Sequence, residues 1–412
     1  MSLLHNGRLR WFFVFWITIS TVLNYIDRQT LSIVAPLLRD EFHLTNLGYS
    51  RIISAFLISY TVMYTVGGRF VDWVGERVGM AACIVWWSVA TMLHSVATGA
   101  LSLGFFRLLL GIGEPGNYPA ALKATATWFS KEERGLPIAI YSSGSAVGAI
   151  LAPPLVAWLT LQYGWRLAFV LPGSIGLIWV YVWLRIYRKP TEVVKHSNDA
   201  VKPAPWLTLL ADRNVVALSL ARFLADPVWY FYLFWIPEYL QRMRGFTLTD
   251  IGLYGWLPFL AADIGGIVGG IASDRLIKRG RSPIVARRVV LSIAAAIAPI
   301  AGFTGTVKSP SMAVALICVG GFVCFVWFIN TAALVSDAFP EGAVGSVQGI
   351  IGTAGSGAGV LFTLLVGVLA DRGAYALVFA IAGSMHVLAA LVLLLMKPVH
   401  AQTPNPLSAT LA

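Results

Sequence analysis

Apolar residues fill this chain in long runs, and polar residues collect in short joints between them. A helix that crosses a bilayer needs about 20 mostly apolar residues, and cutting at the charged and Gly/Pro-rich joints predicts twelve spans. They begin near residues 11, 50, 79, 101, 135, 165, 214, 250, 286, 311, 343 and 375. The fold class this predicts is an all-α membrane protein. The first run, from Trp11 to Pro36, has 26 residues. As a helix it would be about 39 Å long, so a tilted span is expected.

Composition agrees with the pattern. With 58% apolar residues, 12% charged residues and a mean hydropathy of +0.75, the chain is too apolar for a soluble globule. The formal charge of +11 suggests nucleic acid until the basic residues are located. They punctuate the apolar runs instead of forming one patch, which excludes that reading. Cys83, Cys318 and Cys324 have no metal-ligand spacing and suggest no disulfide framework. Arg8 and Arg10 precede an apolar stretch as in a signal peptide, but the stretch is too long and contains Asp27 and Arg28. A retained first helix is expected.

Charge then fixes orientation. With the N-terminus inside, nineteen of the 30 Lys and Arg residues fall in inner joints and seven in outer ones, and Arg28, Arg107, Lys123 and Arg222 lie within spans. This asymmetry places both termini in the cytoplasm. The longest polar joint, Arg188 to Arg213, divides the spans six and six. The expected organisation is an N-terminal six-helix half (1–188), a cytoplasmic linker (189–213), a C-terminal six-helix half (214–398) and a cytoplasmic tail (399–412). The halves repeat. Gly67-Gly68-x-x-x-Asp72 recurs as Gly269-Gly270-x-x-x-Asp274, and Phe169-x-x-x-Gly173-Ser174 recurs as Phe379-x-x-x-Gly383-Ser384. Parallel six-helix repeats place a substrate site near the midplane between them.

Candidate chemistry centres on Leu23-Asn24-Tyr25-Ile26-Asp27-Arg28, a carboxylate and a guanidinium side by side in the first apolar run. A charge at bilayer depth costs roughly 2.5 to 3.5 kcal/mol on insertion scales, so such residues face a bundle interior or a water-filled path. In span 4, Arg107, Gly111, Glu114 and Tyr118 fall at i, i+4, i+7 and i+11, one helical stripe that Pro115 and Pro119 blur. Glu114 lies near mid-span, where a carboxyl can bind and release a proton within one cycle. Arg28 suits a substrate carboxylate, because a guanidinium stays charged and donates in two prongs. In span 7, Arg222, Asp226 and Trp229 form another stripe, with Tyr230, Tyr232 and Trp235 nearby. It reads either as a carbohydrate-facing wall or as an intrahelical ion pair with lipid-packed aromatics. A static network that only fixes helix packing is the alternative for the charges of spans 1 and 4. Buried pairs stabilise little relative to apolar packing, which favours function.

Several segments resemble a known family. Gly68-Arg69-Phe70-Val71-Asp72-Trp73-Val74-Gly75-Glu76-Arg77 resembles the loop signature of the major facilitator superfamily. Asn24-Tyr25-Ile26-Asp27-Arg28, Arg107-x-x-x-Gly111-x-x-Glu114-Pro115-Gly116-x-x-Pro119 and Trp128-Phe129-Ser130-Lys131-Glu132-Glu133-Arg134-Gly135 are similar to its anion:cation symporter branch. Arg222-Phe223-Leu224-Ala225-Asp226-Pro227-Val228-Trp229 and Trp235-Ile236-Pro237 resemble the hexuronate transporters of that branch.

The resemblance implies twelve helices in two pseudo-symmetric halves and proton-coupled import of a monoanionic sugar acid by alternating access. A hexuronate is expected, in a bacterial inner membrane, with protons as the coupling ion, no other cofactor and a monomeric unit in the bilayer. Asp27 and Glu114 match positions that take part in proton coupling, with Arg107 on the same stripe as Glu114. Arg28 and Tyr60 match positions that contact the substrate. Arg222, Trp229, Asn330 and Ser356 are further substrate candidates. Asp72, Arg77, Asp274 and Arg275 are expected to form a cytoplasmic gate. Asp263 is assigned to helix packing, Lys123 to the cytoplasmic surface, and His94 no proton role. Glutamate-carrying relatives have an arginine near the position of Ala225, and aldonate-carrying ones an asparagine at that of Ser356. Both departures favour a hexuronate over those substrates, with an aldonate, an aldarate or anion exchange as alternatives. A sugar-acid receptor would need a long output domain, where only Pro398 to Ala412 follow Lys397. An enzyme would need a metal cluster or a nucleophile with a partnered base.

Overall fold

The computed structural model describes residues 2–129, 133, 135–188, 206–339 and 341–396. Its secondary structure there is entirely helical. We number the long helices α1 (Ser2–Glu41), α2 (Asn46–Val74), α3 (Glu76–Leu93), α4 (Ala100–Gly113, a 3₁₀ turn Glu114–Gly116, then Asn117–Trp128), α5 (Gly135–Tyr163) and α6 (Trp165–Ile186). The second set is α7 (Arg213–Arg244), α8 (Leu248–Tyr254, then Leu257–Lys278), α9 (Pro283–Gly302), α10 (Pro310–Ala338), α11 (Glu341–Asp371) and α12 (Tyr375–Leu393). Most of the expected linker, 189–205, and the tail from 397 onward lie outside the described residues.

Local chemistry sets the boundaries. Thr45 caps α2 by accepting from the Gly48 amide, and Asp212 caps α7 by accepting from the amides of Asn214 and Val215. Gly75 and Gly164, at φ of 83° and 84°, make the one-residue turns from α2 to α3 and from α5 to α6. A side chain would be strained there. Among the described residues, nine helices are long and apolar enough to span a membrane. The other three of the expected twelve are α2, α4 and α7. Neither piece of the broken α4 reaches a full span, and α7 carries Arg222, Asp226, Glu238 and two prolines. Phe15, Leu101 and Ile178 are more than half exposed, an apolar exterior suited to lipid.

The packing repeats with the sequence. In the first half α1 packs on α5, α2 on α4 and α3 on α6; in the second, α7 packs on α11, α8 on α10 and α9 on α12. The repeated glycines sit on matching seams. Gly173 faces Ser88 and Met92 of α3, as Gly383 faces Ala298 and Gly302 of α9. Gly67 meets Gly116 across α2 and α4, as Gly269 meets Val326 and Asn330 across α8 and α10. Between halves, α2 lies on α11, α5 on α8, and α1 touches α7.

Hydrogen bonds and ion pairs between the halves, among the described residues, all lie at one end of the bundle. Arg39 pairs with Glu238, and Arg242 with Asp40. Asp371 accepts from the amides of Asn46 and Leu47 at 2.8 and 3.0 Å, and the Tyr49 hydroxyl donates to the Phe234 carbonyl at 2.9 Å. This is the end that the charge pattern assigns to the outside. Toward the opposite end the halves part: a Cβ at Gly352 would touch Tyr64 of α2, whereas at Gly349 or Gly345 it would meet nothing.

Candidate functional site

Glycine brings the charged centre together. On α4, a Cβ at Gly111 would collide with Phe56 and Ser59 of α2, so the two helices meet without side chains between them. Gly148 of α5 does the same against Val22 and Tyr25 of α1. These close approaches press α1, α2 and α4 around one buried space. Asp27, Arg28, Arg107 and Glu114 are all buried there.

Arg28 is the hub. Its Nε donates to Glu114 Oε2 at 2.8 Å, Nη2 lies 2.7 Å from the same oxygen, and Nη2 donates to Asn24 Oδ1 at 3.2 Å. The guanidinium lies 4.8 Å from the ring centre of Tyr25 and 4.9 Å from that of Tyr60, a cation–π setting that holds the charge without neutralising it. Arg107 donates to the Arg28 carbonyl at 3.2 and 3.3 Å. It pairs with no carboxylate among the described residues. Asp27 points the other way, toward the Trp87 and Thr91 side chains of α3. Glu114 Oε1 is without a partner among the described residues. Glu114 opens the 3₁₀ turn that interrupts α4. The stripe ends there: Tyr118 is 55% exposed and packs edge-on against Tyr141 of α5, because the turn rotates the second piece of α4 away from the first.

The second half holds the other pair. Arg222 Nε donates to Asp226 Oδ2 at 2.7 Å, and Nη1 to Thr331 of α10 at 3.3 Å. The intrahelical pair is therefore present, and it borders a cavity that Trp229 and Tyr230 also line. The Trp229 ring packs against Phe325 and Phe259. Asn330 donates to the Val326 carbonyl of its own helix and lies against Gly269; Ser356 donates to the Gly352 carbonyl. Both side chains are buried and turned onto backbone. Asp263 is half-buried and has no hydrogen bond or ion pair among the described residues.

At the helix ends expected to face the cytoplasm, Arg77 donates to the Leu184 carbonyl of α6, and Asp274 pairs with Arg287 of α9 at 2.9 Å. Arg275 is exposed, and the Asp72 side chain lies outside the described set. The contacts of Arg77 and Asp274 stay within their own halves. Lys123 donates to the Val71 carbonyl at 3.2 Å, so it fastens α4 to the end of α2 and does not merely reach the surface. His94 is fully buried, stacked on Phe169, with Nδ1 against the Ala90 carbonyl.

Sequence reasoning missed four contributors. Phe56 lies under both Arg28 and Arg107; its signal was only its place one turn before Tyr60. Tyr64 continues that line toward the second half. His386 borders the cavity beside Arg222 and Asp226. The Arg39–Glu238 pair had a signal, a glutamate inside an apolar run beside Pro237, which had no assigned partner.

Two six-helix halves with repeated packing, closed at one end around buried charge, define a multi-pass membrane transporter. The chain belongs to the Major Facilitator Superfamily, whose family model matches residues 17–363. It is 33% identical to the hexuronate transporter of Escherichia coli (strain K12) over 403 residues, 93% of each chain. It is 32% identical to the galacturonate transporter of Dickeya chrysanthemi over 325 residues, 74% of this chain and 94% of that one. With the D-galactonate transporter of Escherichia coli O6:H1 it shares 29% over 398 residues, 90% and 91% of the two chains. A bacterial homologue of the human lysosomal transporter Spinster, solved inward-facing and unoccupied, has the same fold, with a TM-score of 0.75 at 19% identity and coverage of 94% and 95%.

Proposed function

We propose that this chain imports a monoanionic sugar acid with protons, by alternating access, as a monomer in a bacterial inner membrane with both termini cytoplasmic. The favoured substrate is a hexuronate, glucuronate or galacturonate, the class that two of the relatives are named for. One observation carries the reading: Arg28, buried at mid-span, is held by Glu114 across two helices. A substrate carboxylate and Glu114 compete for the same guanidinium. Protonating Glu114 frees Arg28 to bind the anion, so proton and substrate load together. Asp27, buried beside Trp87 and Thr91 with Arg107 on its flank, is the second proton acceptor. A ligand shifts a two-state equilibrium only through its different affinity for the states, and this competition supplies the difference.

Tyr60 flanks the anion, and Arg222 and Trp229 face its other end. Asn330 and Ser356 would have to turn from their own helix carbonyls to join it. Asp72, Arg77, Asp274 and Arg275 are the residues that would close the cytoplasmic side in the outward-facing state. The test is uptake of labelled glucuronate into proteoliposomes with and without an inward proton gradient, with galacturonate and galactonate as competitors. Gradient-driven accumulation blocked by galacturonate is expected. Accumulation blocked only by galactonate would overturn the substrate, and uptake indifferent to the gradient would overturn the coupling and favour exchange.

A further inference from the structure

The cavity between α7, α10 and α12 contains more polar chemistry than the anion site requires. It is bordered by Arg222, Asp226, Trp229, Tyr230, Trp327 and His386. Two of its polar groups have no partner among the described residues, and a third uses one of its two oxygens. His386 Nε2 and Trp327 Nε1 are buried without a hydrogen bond, and Asp226 uses only Oδ2, on Arg222. Buried polar atoms in native proteins are nearly always satisfied, by protein or by something bound. Here donors (Arg222, Trp327), an acceptor (Asp226) and an imidazole of either role surround one space with aromatic walls. That mixture suits hydroxyl groups, which donate and accept at once, and not a second carboxylate, which only accepts.

The cavity is also tied to the anion site. Tyr230 is within electrostatic reach of both Arg28 and Asp226, and Tyr64 of both Tyr60 and Arg222. On α11, Gly352, Gly355 and Gly359 receive Tyr64, Asp226 and Tyr230 where their side chains would be. At 1.5 Å per residue these three lie along about 10 Å of one helix face. The side chains of Tyr64, Asp226 and Tyr230 fill this bare face between the two sites.

We infer that this cavity is the subsite for the hydroxylated end of the sugar acid, with Asp226 and His386 reading the hydroxyl groups while Arg28 holds the carboxylate. The inference rests on the sugar-acid reading above. Asp226 accepts from the substrate hydroxyls through Oδ1 while Arg222 fixes its other oxygen. His386 completes the set from α12. A site built to bond hydroxyls discriminates strongly against an analogue lacking them, because its polar groups are then left unpaired.

The test is equilibrium binding to the purified full chain in detergent, comparing glucuronate with tetrahydropyran-2-carboxylate, which keeps the ring and carboxylate but none of the hydroxyls. The native protein should prefer glucuronate by roughly 100-fold or more. In Asp226→Asn and in His386→Phe that preference should fall at least tenfold, with affinity for the analogue unchanged, which also shows that the variants are folded. Arg28→Lys should weaken both ligands alike. An unchanged preference in both variants, or no preference in the native protein, would overturn the subsite and leave the sugar-acid reading standing. Native protein that binds neither acid would overturn both.

Discussion

Two of the guanidinium–carboxylate pairs among the described residues, Arg28–Glu114 and Arg222–Asp226, have the same N–O distance, 2.7 Å, yet are built differently. Arg28 and Glu114 are 86 residues apart and belong to α1 and α4, whereas Arg222 and Asp226 are one turn apart on α7. A pair that joins two helices changes with their separation, so its protonation and the helix arrangement are linked. A pair within one turn of one helix keeps its geometry however that helix moves. The first is suited to coupling and the second to recognition. Arg39 and Glu238 add a third kind, a pair between the two halves, whose rupture would accompany opening of that end in the proposed cycle.

Glu114→Gln should break the contrast most completely. Gradient-driven accumulation should be lost, while exchange of internal for external substrate persists, because the neutral amide leaves Arg28 permanently available. Asp226→Asn should retain accumulation at reduced affinity; if both variants lose coupling equally, the division of labour is wrong. Glu238→Gln comes next. Removing one partner of a buried pair costs about 3 to 5 kcal/mol, which corresponds to a shift of more than 100-fold in a two-state equilibrium. The outer closure should open, read as reactivity of a cysteine placed at the buried Ser50 toward an external thiol reagent. Arg28→Lys loses the two-pronged geometry but keeps the charge, and should raise KM by about 10- to 100-fold without abolishing the response to a proton gradient. Gly355→Ala sharpens the comparison at the second pair. The new methyl would displace Asp226, and overpacking of about 1 to 3 kcal/mol should appear as weaker glucuronate binding. Ser356→Ala should be nearly silent, within about twofold, since its hydroxyl is bonded to its own helix.

The sequence made the architecture readable because its signals were one-dimensional. Apolar run length gave the spans, and the repeated glycines fell on equivalent seams in the two halves. The pairing of Arg28 with Glu114 was within reach because both charges stood out against apolar runs. What stayed hidden depends on helix rotation and on contacts between distant spans. Tyr118 has the correct spacing for the helix 4 stripe, but the turn at Glu114–Gly116 removes it. Asn330 and Ser356 have polar side chains in the right spans, yet each bonds to its own backbone. His386 gave no signal, because a lone histidine in an apolar helix has no periodic partner. Its neighbours come from α7 and α10, and only the folded chain shows them.

The closed outer end has a consequence for how import would be governed. On the proposed import reading, a carrier fastened at this end and parted at the other would open the Arg28 site toward the cytoplasm. A sugar acid that accumulates inside then occupies the site and holds the carrier in that state, keeping it from returning for more. Uptake would slow as the internal pool fills and recover as the cell consumes it. On that reading the fastening would act as a throttle set by demand, without a regulatory domain.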